Sequence, residues 1–329
     1  MDSQILTGLV AALGLLANFA GVGDATAEDM MESMSQDGHA QHADHGHHHA
    51  DFDSTRMHVR VDGEAGPGVR DIILIPGLSS SPEVWQGTVD HLLSENGSAG
   101  WRVHRVHIQG FAGAPVEGNT EGAVAAPVAE EIARYISEQG LDHPVVVGHS
   151  MGGTIGMMLA ARHPDAVGKL MVVDMVPFMG AMFGPPGATA ESIAPVAEQV
   201  YQSMSTASPA DYNTRAAASI TGMINTESKR AGPLEDGATS DQQVSSRSFR
   251  ELILTDLRSE LSRITVPTEV LYVKFNDARM TNEITDMIYQ ASFATLPGVE
   301  LKRIDDSAHF IMLDQPDAFY ADLDAFLAE

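Results

Sequence analysis

The sequence contains no cysteine. It therefore has no disulfide, no thiol nucleophile and no cysteine-ligated metal centre. The absence suits oxidising and reducing surroundings alike and does not locate the protein. Basic residues are scarce: 19 Lys and Arg stand against 45 Asp and Glu, a formal net charge of −26 over 329 residues. A surface of that sign repels phosphate backbones and anionic headgroups, so partnership with nucleic acid or attachment to an anionic membrane surface is excluded. Long apolar runs are absent beyond the first two dozen residues, and no internal repeat is found. What is plentiful is apolar content: at 43% hydrophobic the chain can bury the core of one large α/β domain or two small ones.

The one long apolar run, "ILTGLVAALGLLANFAGV" (Ile5–Val22), precedes a small-residue site, "ATA" (Ala25–Ala27). Residues 1–27 read as a secretory signal peptide, which implies a periplasmic or secreted protein with no stable membrane insertion after cleavage. The leading "MDSQ" lacks the usual basic residue and the run reaches the lower limit of a membrane span, so an uncleaved anchor is the alternative. Residues 28–54 read as a disordered tether. Its "HAQHADHGHHHADFD" (His39–Asp53) holds six of the fourteen histidines. Imidazole with carboxylate binds divalent metal, here weakly, because nothing nearby fixes geometry. The tract is either a plain linker or a metal-scavenging tail. Its irregular spacing is unlike an appended run of histidines.

From residue 55 onward strand-like and helix-like segments alternate. "RMHVRVDG" (Arg56–Gly63) reads as an edge strand, and "RDIILIPG", "WRVHRVHIQG", "PVVVGHS", "KLMVVDMVP", "TEVLYVKFND" and "VELKRIDDSAHF" as further strands. Helical spacing appears in "PEVWQGTVDHLLSEN", "EGAVAAPVAEEIARYISEQG", "MGGTIGMMLAARHPD" and the closing "QPDAFYADLDAFLAE". Continuous apolar strands alternating with helices predict a mostly parallel central sheet with helices on both faces. Residues 177–264 contain no convincing strand and are rich in Met, Gly, Ala and Ser. They predict a helical lid inserted before the last two strands, dividing the core into 55–176 and 265–329.

"VVVGHSMGG" (Val145–Gly153) joins a buried strand to a helix through Gly-x-Ser-x-Gly. A serine on so sharp a turn needs small neighbours, here Gly148, Gly152 and Gly153, and the helix N-terminus beneath it favours developing negative charge. Serine at its free pKa is a poor nucleophile and needs a base. His309 in "DDSAHF" follows the last strand, where it reaches the strand ends. Asp277, after "EVLYV", is the first candidate to orient the imidazole, and Asp174, ending the strand after the nucleophile helix, is its rival. Asp305 and Asp306 lie too close in sequence to His309. Two backbone N–H donors are needed for an oxyanion: Met151, after the serine, and Leu78 in "IPGLSSS". His149 and Trp85 read as packing residues. Phe178, Met179, Met182 and Phe183 open the lid, where Phe178, Met179 and Met182 are candidate contacts for an apolar acyl group.

"GHSMGG", "IPGLSSSPEVW", "FND" and "DDSAHFIMLDQPDAF" together resemble the α/β-hydrolase superfamily over roughly residues 56–329. The resemblance implies the α/β-hydrolase fold, with Ser150 as nucleophile, His309 as base, Asp277 as acid, Leu78 and Met151 as oxyanion donors, and no metal or organic cofactor. Pro76-Gly77 replaces the common His-Gly, "QGFAG" (Gln109–Gly113) replaces an Arg-Gly-x-Gly-like turn, and the acid lacks the usual Gly-x-x-Asp context. The expected activity is hydrolysis of a small or medium carboxylic ester or lactone. Amidases, C–C hydrolases and cofactor-free haloperoxidases share the triad. The alternative outside enzymes is a hydrolase scaffold that captures a small ligand or metal without catalysis.

Overall fold

The computed structural model describes residues 48–94, 100–274, 277 and 280–328. The segment expected to be a signal peptide, residues 1–27, and most of the histidine tract lie outside these residues. Among them, eight strands form one sheet in the order β1-β2-β4-β3-β5-β6-β7-β8. These are β1 (His48–His49), β2 (Met57–Asp62), β3 (Arg70–Ile75), β4 (Trp101–Ile108), β5 (Val145–His149), β6 (Lys169–Val173), β7 (Thr268–Tyr272) and β8 (Glu300–Arg303). From β4 to β8 every neighbouring pair is parallel, and β1 and β2 add antiparallel pairings at one side.

Both faces of the sheet are covered, and the alternation of side chains shows it. Ile73 and Ile75 of β3 join one apolar core, whereas Ile72 and Leu74 join the other; Val146 and Val147 of β5 divide in the same way. A strand buried on two faces has no polar face to show, which is why these strands read as continuous apolar runs. The covering helices are α1 (Gln86–Leu93), α2 (Ala125–Gln139), α3 (Met151–Arg162), α8 (Asn282–Ser292), α9 (Ile311–Asp314) and α10 (Pro316–Ala328). A helical insertion between β6 and β7 supplies α4 (Ala190–Ser205), α5 (Pro209–Gly222), α6 (Ala231–Thr239) and α7 (Gln242–Leu254). No strand occurs among residues 177–264, as their composition predicts.

The ordered fold begins earlier than residue 55. The pair His48–His49 hydrogen-bonds alongside β2, so β2 is not the edge. Phe52 packs edge-on against Tyr135 at 5.1 Å, with the Arg134 guanidinium 4.2 Å over its ring. A two-residue strand has no periodicity to read, and its histidine-rich composition suggests linker. The expected strand over Val299–Phe310 also contracts to four residues, leaving a loop that carries His309.

The elbow between β5 and α3 is packed backbone against backbone. A Cβ on Gly148 would lie 2.1 Å from the Gly152 carbonyl oxygen, and one on Gly152 would lie 2.1 Å from the Ile75 carbonyl oxygen. Both obstacles are backbone, so neither can swing aside. Gly152→Ala is therefore expected to destabilise the fold by about 4 kcal/mol or more, the range reserved for backbone clashes in a core. Thermal unfolding of the variant should show a Tm lower by about 10 °C; an unchanged Tm would mean that α3 can shift at little cost.

Candidate active site

Ser150 sits between the end of β5 and the first turn of α3 with φ 54° and ψ −119°. A non-glycine residue pays for such a backbone unless its surroundings impose it. They do so here: the Ser150 N–H donates to the Val173 carbonyl at 2.9 Å, and its own carbonyl accepts from Gly153 and Thr154 in the first turn of the helix. The serine is held clear of the sheet at the strands' carboxyl ends, where ligands of parallel sheets bind. It opens on a cavity of about 680 Å³ shared with Leu78, His149, Asp174 and His309.

His309 stands in the loop after β8. Its Nδ1 lies 2.6 Å from Asp174 Oδ2. The carboxylate that meets the imidazole is thus Asp174 of the β6 end, and not Asp277. Asp174 has φ 51°, and its N–H donates to Leu271 O of β7 at 2.7 Å, which turns the side chain toward the histidine loop. Its second oxygen, Oδ1, accepts from the Val273 N–H at 3.2 Å and from the Tyr289 O–H at 3.0 Å. Asp277 belongs to the loop after β7, where its carbonyl accepts from Met280. The signals for Asp174 were its place at the end of a buried strand one position from β5 and the missing Gly-x-x-Asp after β7. Tyr289, in a helix capped by Thr281, carries no sequence signal that ties it to Asp174.

His149 is fully buried, and its Nε2 lies 3.0 Å from the His309 carbonyl oxygen. A carbonyl only accepts, so His149 carries its proton on Nε2. Burial, reinforced by the neighbouring His309, holds His149 well below the usual histidine range. It is a neutral strut beneath the His309 loop. Phe310 adds an aromatic contact to His149 at 4.6 Å.

The loop that carries Leu78 passes directly over the elbow. A Cβ on Gly77 would crowd the His149 ring at 3.1 Å and the Ser150 Cβ at 3.2 Å. Glycine at 77 is what lets the two backbones approach. Met151 is the first residue of α3, so its N–H has no partner within the helix. The helical insertion grips the Leu78 loop from above. Asp236 Oδ2 accepts the Ser81 N–H at 2.8 Å, and the hydroxyls of Ser79 and Ser245 meet at 2.8 Å.

Met179 and Met182 line the cavity together with Met175, Met204 and Met223. Phe178 does not line it. Its ring is buried beneath the Arg258 guanidinium, 4.5 Å away, where it anchors the insertion. Trp85 packs against Phe319, as its helix face predicts. Among the described residues no cluster of three His, Cys, Asp or Glu could hold a metal, and no helix is long and apolar enough to cross a membrane.

The sequence model of the alpha/beta hydrolase family matches residues 72–323. The chain belongs to that family. A curated relative, the pimeloyl-[acyl-carrier protein] methyl ester esterase of Vibrio vulnificus, is 24% identical over 273 residues, covering 83% of this chain and 98% of its own. Two solved structures share the fold. A hydrolase from Pseudomonas aeruginosa superposes with a TM-score of 0.66 at 18% identity, covering 83% of this chain and 94% of its own. The enol-lactonase from Burkholderia xenovorans does so with a TM-score of 0.64 at 20% identity, covering 85% and 100%.

An imidazole whose Nδ1–H is bound to a carboxylate is fixed in orientation and tautomer, and presents Nε2 as a base. Among the described residues no hydrogen bond joins Ser150 to that ring. Such contacts often tighten only when substrate is bound. Exchanging carboxylate for amide separates the two aspartates. Asp174→Asn is expected to lower kcat by about three to four orders of magnitude, as loss of the orienting carboxylate does, while Asp277→Asn leaves kcat near wild type. The reverse result in steady-state kinetics would return the acid to β7.

Proposed function

We propose that the protein is a serine hydrolase that cleaves a small or medium carboxylic ester or lactone through an acyl-enzyme. The observation that carries this reading is the 2.6 Å contact of Asp174 with His309 in the cavity that also holds the strained Ser150. Ser150 Oγ attacks the substrate carbonyl carbon and gives its proton to His309 Nε2. Asp174 stabilises the imidazolium that forms. The tetrahedral oxyanion takes hydrogen bonds from the N–H of Leu78, in the loop after β3, and the N–H of Met151, at the start of α3. As the carbonyl re-forms, the C–O bond to the leaving alcohol breaks and His309 returns the proton to it. A water then repeats the sequence: His309 takes its proton, its oxygen joins the acyl carbon, and Ser150 leaves with the proton restored.

The activities of these relatives, a methyl ester esterase and an enol-lactonase, support ester and lactone bonds as the class. The methionine-lined wall supports an apolar acyl part, since thioether side chains adapt to irregular shapes. The helical insertion serves as the lid of this pocket. On the strength of residues 1–27 the enzyme works in the periplasm or outside the cell, and the histidine tract holds divalent metal weakly if at all.

Two experiments test the reading. Wild type should label with a fluorophosphonate probe and Ser150→Ala should not, with hydrolysis of p-nitrophenyl esters falling by about three to six orders of magnitude. A folded wild type that takes no label would sink the hydrolase reading in favour of ligand capture. In a chain-length series, Met182→Ala should move the optimum toward longer acyl chains. Each methylene that finds new room contributes about 0.8 kcal/mol, roughly fourfold in kcat/KM. An unmoved optimum would place the acyl group elsewhere.

A further inference from the structure

The Asp174 carboxylate has two oxygens and two tasks. Oδ2 faces the imidazole, and Oδ1 is held by one backbone N–H and one phenol. The phenol is Tyr289, in the middle of α8. It is nearly inaccessible to solvent, and its ring stacks on Tyr272 with centroids 4.0 Å apart. Tyr272 in turn donates its hydroxyl to Asp286 at 2.8 Å, and Asp286 is paired with Arg303 at the end of β8. The stack therefore ties α8, β7 and β8 into one support behind the acid. Burial, followed by the nearby Asp174 charge, pushes the Tyr289 hydroxyl well above the ordinary phenol range, so it stays protonated and acts as a donor.

We infer that Tyr289 is a positioning residue for the hydrolytic site: its O–H fixes the rotation of the Asp174 carboxylate, and through it the orientation of His309. This rests on the serine-hydrolase reading for its kinetic consequences, though not for its geometry. A carboxylate at the end of β6, in a left-handed backbone conformation, is free to rotate about its own side-chain bonds unless both oxygens are held. The Val273 N–H reaches Oδ1 at only 3.2 Å. The phenol supplies a second, shorter donor from an element that no backbone bond ties to Asp174.

The charged and titratable groups around the pair come from every side. His149 of β5 faces His309 with ring centroids 4.6 Å apart, and Tyr272 lies on β7. Asp286 and Tyr289 lie on α8, Arg303 ends β8, and Asp305 and Asp306 share the histidine's loop. Lys274, after β7, also lines the cavity. Of these, Tyr289 is the one that donates to Asp174. Removing its hydroxyl leaves more negative charge on the oxygen that faces His309. The imidazolium then holds its proton more tightly, and the acidic limb of the rate profile moves to higher pH.

The test is Tyr289→Phe, which keeps the stacked ring and removes one oxygen. The expected result is a fall in kcat of about tenfold to a hundredfold, the range for loss of a hydrogen bond to a charged group, with KM little changed. The acidic limb of kcat/KM should rise by about 0.5 pH unit. The low-field proton resonance of the His309 Nδ1–H should shift in Tyr289→Phe and vanish in Asp174→Asn. Tyr272→Phe, which trims the same stack without touching Asp174, should keep the wild-type limb and resonance. A Tyr289→Phe variant with wild-type kcat, limb and resonance would overturn the inference, and so would an equal shift in Tyr272→Phe. A wild type that fails to label with fluorophosphonate would instead overturn the hydrolase reading, and the proton resonance would still decide the tyrosine.

Discussion

Everything at the site depends on how closely α3 approaches β3 and β5. At Gly148 and Gly152 the backbones are in contact with no room for a methyl group, and the cost of that compression is met by two buried apolar cores on either side of the sheet. The approach produces the strained Ser150 backbone, sets Met151 as the first residue of α3 directly after it, and lets the Leu78 loop cross over through Gly77. Loosen the elbow, and Ser150, Met151 and the Leu78 loop lose their mutual geometry together. This is why three glycines in one stretch of sequence carry more information than the serine they surround.

The sheet and the elbow were legible because they rest on patterns that repeat. Strands buried on both faces must be apolar throughout, and a sharp strand-to-helix turn must be small. Ser150, His309, Leu78 and Met151 followed from those patterns and from chain order; the structure brings Ser150, His309 and Leu78 to one cavity, and Met151 is buried behind it as the first residue of α3. The acid did not follow. Asp174 and Asp277 both follow strands that lie beyond β5 in the sheet, and chain order places either of them before the histidine. What separates them is a φ of 51° at Asp174 and a hydrogen bond from β6 to β7, neither of which leaves a trace in residue type. Tyr289 was illegible for a similar reason, since its role comes from a contact across 115 residues of chain. Phe178 was misplaced because an apolar residue at the start of an insertion reads the same whether it faces the cavity or anchors the insertion beneath Arg258.

Placing the acid on β6 changes what the neighbouring elements must do. The end of β7 no longer presents a carboxylate. It contributes instead a backbone N–H, from Val273, that holds the one on β6. The histidine loop after β8 is then steadied from two other directions. His149 donates to its carbonyl from below, and Asp314 accepts from Ala308 as well as from Asn225 and Thr226 of the insertion. The base is held by the sheet on one side and by the helical insertion on the other.

That arrangement has a mechanical consequence. Asp174 lies three residues before Pro177, where the insertion starts, and the Pro177 carbonyl accepts the Leu257 N–H where the insertion returns. The same insertion grips the oxyanion loop through Asp236 and Ser245 and the base loop through Asp314. The insertion is therefore tied to the strand end that carries Asp174, to the Leu78 loop and to the His309 loop at once. The support behind Asp174 belongs to none of these: the Tyr289–Tyr272 stack hangs on α8, β7 and β8. Where the helical insertion and Asp174 share one stretch of backbone, the Tyr289 hydroxyl holds the carboxylate from an element that does not belong to the insertion.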